Sequence, residues 1–224
     1  MKVAVLVPVL GRPQKAQPLV DSLAASVQAH ELVPIFLCSP GDDEEIRAVV
    51  DTGADLIVMP FENGKGDYAR KLNLGFRRAG ELGMEWSFLA ADDLRFRAGW
   101  FEAGLRTHER SGACVVGTND LGNPRVKAGR HSTHTLVHAD YSECGTVDED
   151  DRILHEGYHH NYVDEEFIQT AMWRSTFSFA RDSYVEHLHP DWRKGVMDDT
   201  YRLGKSTFED DRRYYESRKR LWGR

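Results

Sequence analysis

Three groups of residues in this chain have the types and spacing that chemistry needs. The run Phe88-Leu89-Ala90-Ala91-Asp92-Asp93 delivers two adjacent carboxylates at the carboxyl end of an apolar, strand-like segment. In an open α/β sheet that edge is where ligands bind. Carboxylate oxygens are hard ligands for Mg²⁺ or Mn²⁺, and a substrate diphosphate commonly supplies the remaining oxygens. Asp also caps turns, so the pair has a purely structural reading as well. Glu186-His187-Leu188-His189 offers two imidazoles two residues apart, which project the same way from an extended segment. Finally, His155-Glu156-Gly157-Tyr158-His159 satisfies H-E-x-x-H, in which two histidines share a helix face around zinc and the glutamate activates water. Its surroundings oppose a zinc peptidase. Gly157 costs about 1 kcal/mol in a helix interior, the acidic approach Asp148-Glu149-Asp150-Asp151 reads as loop, and no apolar helix face follows His160-Asn161.

Elements able to position these groups are clearest in the first 95 residues. Lys2 to Val9 is β-branched and nearly continuous, which suits a strand buried on both faces of a parallel sheet. Gly11-Arg12-Pro13 ends it, and Leu19, Leu23 and Val27 then recur at helical spacing. Val33 to Cys38 reads as a second strand, Glu44 to Asp51 as a helix capped by Asp42 or Asp43, and Asp55 to Met59 as a third strand. After the turn Asn63-Gly64-Lys65-Gly66, one face of a longer helix is set out by Tyr68, Leu72, Gly75, Phe76 and Ala79. Trp86 to Ala90 is then the strand that carries the carboxylates. This alternation implies right-handed βαβ units and a doubly wound, mostly parallel α/β sheet flanked by helices. Farther on, strands are expected at Ser111 to Thr118 and Thr133 to His138, an acidic loop at Val147 to Arg152, and a helix at Val163 to Arg174. Beyond Arg174 no period is legible.

Composition narrows the class. The 224 residues, 41% hydrophobic and 29% charged, fit one globular domain. No stretch reaches the roughly 18 apolar residues of a membrane span, and Val3 to Leu10 lacks a signal peptide's length and cleavage site. Cys38, Cys114 and Cys144 are widely spaced without a C-x-x-C pair, so a cytoplasmic protein without disulfides is expected. A net charge of -7 argues against a broad nucleic-acid surface. The basic tail, with Arg212, Arg213, Arg218, Lys219, Arg220 and Arg224 among Tyr214, Tyr215 and Trp222, reads as a solvated helix face with an aromatic anchor and keeps a modified DNA base open as an acceptor.

Taken in order, these landmarks resemble the GT-A glycosyltransferases, and among them the family 2 type. The order runs from Pro8 and a short loop with Arg12, through the acidic turn Asp42-Asp43 and the Asn73-Leu74-Gly75 helix, to Ala91-Asp92-Asp93, Phe96 and the Gly99-Trp100 turn. The likeness is close over residues 3 to 105 and loose over 110 to 190. Ala91 stands where a D-x-D motif has its first Asp, which leaves an adjacent pair.

The resemblance implies a single GT-A domain over residues 1–224. Residues 1–105 would be its nucleotide-sugar half, 106–200 its acceptor side and 201–224 a basic, aromatic tail. It implies a donor that is a nucleotide-diphosphate sugar, with a UDP-sugar favoured, an acceptor hydroxyl, and Mn²⁺ or Mg²⁺ as cofactor. Pro8 and Arg12 would border the nucleotide base, and Asp42 or Asp43 would accept a hydrogen bond from it. Lys71 would reach the diphosphate, and Asp92 would lie near the ribose. Asp93 would bind the metal, with His187 or His189 completing the site. Asp164, with Glu165 beside it, resembles the acidic motif that supplies a general base, although acids at a helix start are also favoured by the macrodipole. Inversion by direct displacement follows from that likeness. The loop from Asp120 to His134 and the aromatic tail are expected to order over bound donor as a lid. A non-catalytic nucleotide-sugar-binding module and the zinc peptidase are the alternatives. A sugar-nucleotide pyrophosphorylase is disfavoured because Leu10-Gly11-Arg12-Pro13 has a single glycine.

Overall fold

A computed structural model describes residues 1–26 and 29–223. Val27 and Arg224, which the sequence reading assigned to a helix and to the basic tail, lie outside the described residues. The chain forms one eight-stranded sheet with helices on both faces. Strands β1 (Lys2–Pro8), β2 (Glu31–Cys38), β3 (Asp55–Val58) and β4 (Trp86–Leu89) form a parallel half ordered β3-β2-β1-β4. Val3 to Val7 are wholly buried, as a strand covered on both faces requires.

Helix α1 (Ala16–Ala25), helix α2 (Asp43–Thr52) and helix α3 (Asp67–Glu81) connect these strands. The predicted stripe of α3 is real: Ala69, Leu72, Phe76 and Ala79 are buried against Leu6, Ile35 and Leu37. Gly75 permits the close approach, because a Cβ there would lie 3.0 Å from Leu37 Cδ1. Asp42 precedes α2 as expected, but its side chain does not cap the helix.

The second half adds antiparallel pairs to the mostly parallel sheet. β5 (Leu94–Phe96), helix α4 (Trp100–Ser111), β6 (Val115–Asn119), the short helix α5 (Pro124–Lys127) and β7 (Thr135–His138) lead to helix α6 (Val163–Trp173) and the long β8 (Phe177–His187). β7 pairs antiparallel with β4 and with β6, and β8 lies parallel to β6. The sheet is therefore mixed, in the order β3-β2-β1-β4-β7-β6-β8-β5. The sequence missed β8 because its faces alternate irregularly: only Ala180, Ser183, Val185 and His187 are buried along its 11 residues. It also missed helix α7 (Asp199–Ser206), while helix α8 (Phe208–Arg218) holds part of the tail expected from Arg212 onward as a solvated helix face. Most α8 side chains are charged, and its first-turn acids Glu209 and Asp210 pair with Arg212 and Arg213. That leaves a solvated face, with Tyr215 and Arg218 buried as the anchor. No described helix is long and apolar enough to cross a membrane.

β1 sends one crossover to β2 and its other neighbour is β4, so the strand order reverses between β1 and β4. A crevice opens at the carboxyl ends of strands flanking such a switch point. Arg12 follows β1 and Asp92-Asp93 follow β4, which places both at its rim.

Candidate active site

Asp92 and Asp93 are buried, at 7% and 2% exposure, in the turn joining β4 to β5. Asp93 Oδ2 lies 3.1 Å from His187 Nε2 and accepts the Tyr201 hydroxyl, while Asp93 Oδ1 is buried without a partner. Burial alone would push the Asp93 carboxyl up. The His187 charge and the bonds from His187 and Tyr201 outweigh it and hold the group well below the carboxylate range. The same pair lifts His187 despite the opposing effect of its burial. Asp92 moves the other way: burial and the neighbouring Asp93 charge raise it, and Arg12 opposes them from 3.0 Å.

Backbone pairing fixes this geometry. His187 lies opposite Leu94 in the β5–β8 ladder, and Leu188 N donates to Asp93 O at 2.8 Å. His189 sits just beyond the strand. Its Nδ1 accepts from Asp191 N at 3.2 Å and its ring meets Tyr201 edge to face at 4.7 Å. Burial and the His187 charge hold its pKa down at about 4. Of the two imidazoles, His187 is the one placed on Asp93.

The nucleotide-side candidates follow from the loop after β1. Pro8 ends that strand, half-buried. Arg12 is 5% exposed, and its guanidinium bridges Asp92 to Asp198 at 2.8 Å while stacking on Tyr201 at 4.0 Å. Asp42 Oδ2 accepts from Gly11 N at 2.9 Å, whereas Asp43 is exposed. The loop's second acidic support is Glu45, which the sequence reading passed over: it is fully buried and accepts Arg12 N at 2.6 Å. Lys71 is 1% exposed, and its ammonium donates to Val9 O at 2.7 Å and Ser39 Oγ at 2.6 Å and pairs with Asp67 at 2.9 Å. Those three partners use its three donors, so Lys71 ties the ends of β1 and β2 to α3.

Asp164 and Glu165 open α6, preceded by Tyr162 in the left-handed region at φ 66. Stacking of Tyr162 on Tyr215, 5.1 Å away, accompanies that uncommon conformation. Half-buried Asp164 receives Glu165 N on Oδ1 at 2.9 Å and faces His131 Nε2 with Oδ2 at 3.1 Å. Burial acts to raise the Asp164 carboxyl, but the His131 charge and hydrogen bond bring it below the usual value. Glu165 points away into a two-bonded pair with Arg125, 2.7 Å on each arm. Tyr68, His134 and His160 each feel the charges of both Asp93 and Asp164, so three side chains lie within electrostatic reach of both carboxylates. Burial pushes the Tyr68 hydroxyl up and holds the His134 pKa down at about 3. No periodicity in the 120–134 loop singles out His131 or His134, whose rings are buried by tertiary packing.

The H-E-x-x-H segment is not helical: residues 156–159 form turns and bends. His155 is held by Glu149 at 2.9 Å and the Tyr214 hydroxyl at 2.9 Å, and His159 Nδ1 by Asp211 at 3.0 Å. Glu156 accepts from Asn73 at 2.9 Å and from Arg152 at 3.1 Å. The two imidazoles thus face different partners, and the zinc peptidase reading is corrected. Among the described residues, Asp148, Glu149 and His155 cluster closely enough to hold a cation, but Asp148 is committed to Arg218 and His155 to Tyr214.

No family model and no curated protein matches the sequence. Solved structures do match in fold. Staphylococcus aureus TarS, residues 1-349 in complex with UDP-GlcNAc, superimposes with a TM-score of 0.60 at 15% identity, covering 88% of this chain and 62% of that one. Mycobacterium tuberculosis glucosyl-3-phosphoglycerate synthase with Mn²⁺, UDP and phosphoglyceric acid gives 0.57 at 14% identity, covering 91% and 73%. The chain spans under two thirds of the TarS fragment, and 36% of a longer TarS structure. Its fold is the GT-A fold.

Proposed function

We propose that this GT-A chain is a glycosyltransferase that moves a sugar from a nucleotide-diphosphate donor, a UDP-sugar, to an acceptor hydroxyl by direct displacement with inversion, using Mn²⁺ or Mg²⁺. The observation that carries the reading is the Asp93–His187 pair, with a buried carboxylate oxygen left over, and a hydrogen-bonded Asp164 whose charge reaches the same three side chains as that of Asp93. The fold neighbours support it, since one was crystallised with UDP-GlcNAc and the other with Mn²⁺ and UDP.

The donor set fits a divalent cation. Asp93 Oδ1 is a hard oxygen with no partner, and His187 contributes an imidazole nitrogen, a combination Mn²⁺ accepts. Asp93 and His187 would hold it, and when bound it would supply positive charge against the leaving diphosphate. The protein's own residues do the rest. Asp92 and Glu45 fix the Arg12 loop at the nucleotide edge, where Pro8 and Asp42 lie beside it. Asp164 takes the proton of the acceptor hydroxyl as that oxygen bonds the anomeric carbon and the bond to diphosphate breaks. Because its carboxyl is held charged, it is ready as a base at neutral pH. Glu165 is committed to Arg125, which leaves Asp164 as the base. The acceptor is an open member of the hydroxyl class.

Thermal shifts with UDP, GDP and dTDP, each with and without Mn²⁺, test the donor class, because a ligand that binds the folded state raises its stability. UDP with Mn²⁺ should stabilise the wild type and Asp164→Asn but not Asp93→Asn. Asp164→Asn should also lose transfer, measured as UDP release, by about 10²-fold or more. No metal-dependent shift with any of the three nucleotides would sink the reading, and a response to Zn²⁺ alone would count against it.

A further inference from the structure

The crevice that would take donor and cation already has an occupant from its own chain. Helix α7 and the residue before it lie across it, and two of their contacts fall on Arg12 and Asp93, residues the donor and cation would need. Asp198 Oδ1 binds Arg12 Nη2 at 2.8 Å. The Tyr201 hydroxyl donates to Asp93 Oδ2, and its ring lies under the Arg12 guanidinium. Thr200 Oγ1 donates to Leu10 O at 3.3 Å. On the other side, Asn161 Nδ2 donates to Gly204 O at 2.8 Å, and a Cβ on Gly204 would meet the His160 ring at 3.2 Å.

The segment is held almost entirely by those polar contacts. α7 has no buried residue, and Val196 and Leu203 are 83% and 59% exposed. A helix with so little apolar burial belongs to the low-stability end of a structure, where local opening costs little. Its carboxyl end is anchored. Lys205 reaches back to Asp191 at 2.7 Å, and α8 beyond it is fastened by buried Asp211, Tyr215 and Arg218. The helix can therefore leave the crevice without the rest of the chain unfolding.

We propose that residues 198–204 are an internal pseudo-ligand. The Asp198 carboxylate stands where an oxyanion of the donor would sit on Arg12, the Tyr201 hydroxyl ties up Oδ2 of the Asp93 carboxylate whose free Oδ1 a cation would take, and binding of cation and diphosphate levers α7 out. The proposal rests on the donor reading above and adds to it a competition within the chain. It also assigns Arg12 a ligand class, the phosphoryl oxygens, rather than the nucleotide base.

The test uses the full-length chain, Mn²⁺ and UDP. Titration calorimetry and the loss of the free Mn²⁺ electron-spin signal measure binding by the wild type, Tyr201→Phe and Asp198→Asn. Hydrogen exchange on the wild type alone follows residues 196–206, so the answer does not depend on the variants folding. Losing a hydrogen bond to a charged group should tighten binding by about tenfold, Mn²⁺ in Tyr201→Phe and UDP in Asp198→Asn. Exchange at 196–206 should quicken when Mn²⁺ and UDP are added together. If the wild type binds but both variants bind equally or more weakly, and exchange there is unchanged or slower, the proposal is overturned and the donor reading stands. If none of the three proteins binds Mn²⁺ or UDP, the donor reading falls and the proposal falls with it.

Discussion

Asp211→Asn probes how the C-terminal helix governs the crevice. Asp211 is fully buried. Its Oδ1 receives His159 N at 2.7 Å and faces His159 Nδ1 at 3.0 Å, while its Oδ2 receives His160 N at 2.9 Å and Asn161 N at 2.8 Å. Burial acts to raise this carboxyl, but the three backbone donors outweigh it and leave it below its ordinary value of 3.8. Asparagine keeps one acceptor oxygen and turns an amide donor toward two backbone N–H groups, stranding them in a buried site. A hydrogen bond to a charged group is worth about 1.5–3 kcal/mol, and an unsatisfied buried group costs about 1–3 kcal/mol. The contributions share one carboxylate and do not add, so a loss of about 3 kcal/mol is expected, or about 6–12 °C in Tm for a chain of this size. Guanidinium unfolding gives the first number, and hydrogen exchange at 155–161 shows whether the loss is local. The sign with pH follows. A group whose folded pKa is depressed stabilises above its unfolded value, and that stability is lost as pH falls through the folded pKa. Acid should therefore loosen this loop in the wild type, and the variant should lack that step. A variant within about 0.5 kcal/mol of the wild type, the ordinary range of a surface substitution, would refute this account of Asp211.

Two further outcomes are expected. Gly66→Ala places a Cβ 2.4 Å from Glu156 O at a backbone angle of φ +78, so it should destabilise by about 1–3 kcal/mol in thermal melts; a Tm equal to wild type would mean the α3 lead-in does not need glycine. His131→Ala removes the charge and hydrogen bond that lower the Asp164 carboxyl. The acidic limb of the UDP-release profile should then move to higher pH, because the base must lose its proton; an unmoved limb would take His131 out of the base's environment.

The legible parts of this chain were those whose local pattern and tertiary role agree. β1 is continuous because both its faces are covered, and α3 shows its stripe because one face packs on β1 and β2. Asp92 and Asp93 stood out because they end an apolar strand. His131, Glu45 and Asp211 had no comparable signal. Each is a polar side chain whose importance comes from a partner at least 33 residues away, and sequence spacing carries no trace of that. Lys71 was visible as a cation on a helix, but its burial against Val9, Ser39 and Asp67 was not. The H-E-x-x-H string shows the converse. Its letters suit a zinc helix, yet Asn73 clamps Leu154 through both amide atoms, at 2.8 and 2.9 Å, and the segment follows that clamp into a loop. β8 and α7 were hidden because few of their residues are buried, so neither period had an apolar face to reveal it.

The pairing of β5 with β8 fixes more than shape. Leu94 and His187 are ladder partners, one residue from Asp93 and one from Leu188, and the two chain segments are stitched again at Leu188 N and Asp93 O. Carboxylate and imidazole are thus mounted on a common rigid frame despite standing 94 positions apart. Inserting one residue into β8 would turn the imidazole to the opposite side of the sheet. A side-chain replacement at either position therefore leaves the spacing of the two backbones as this ladder sets it.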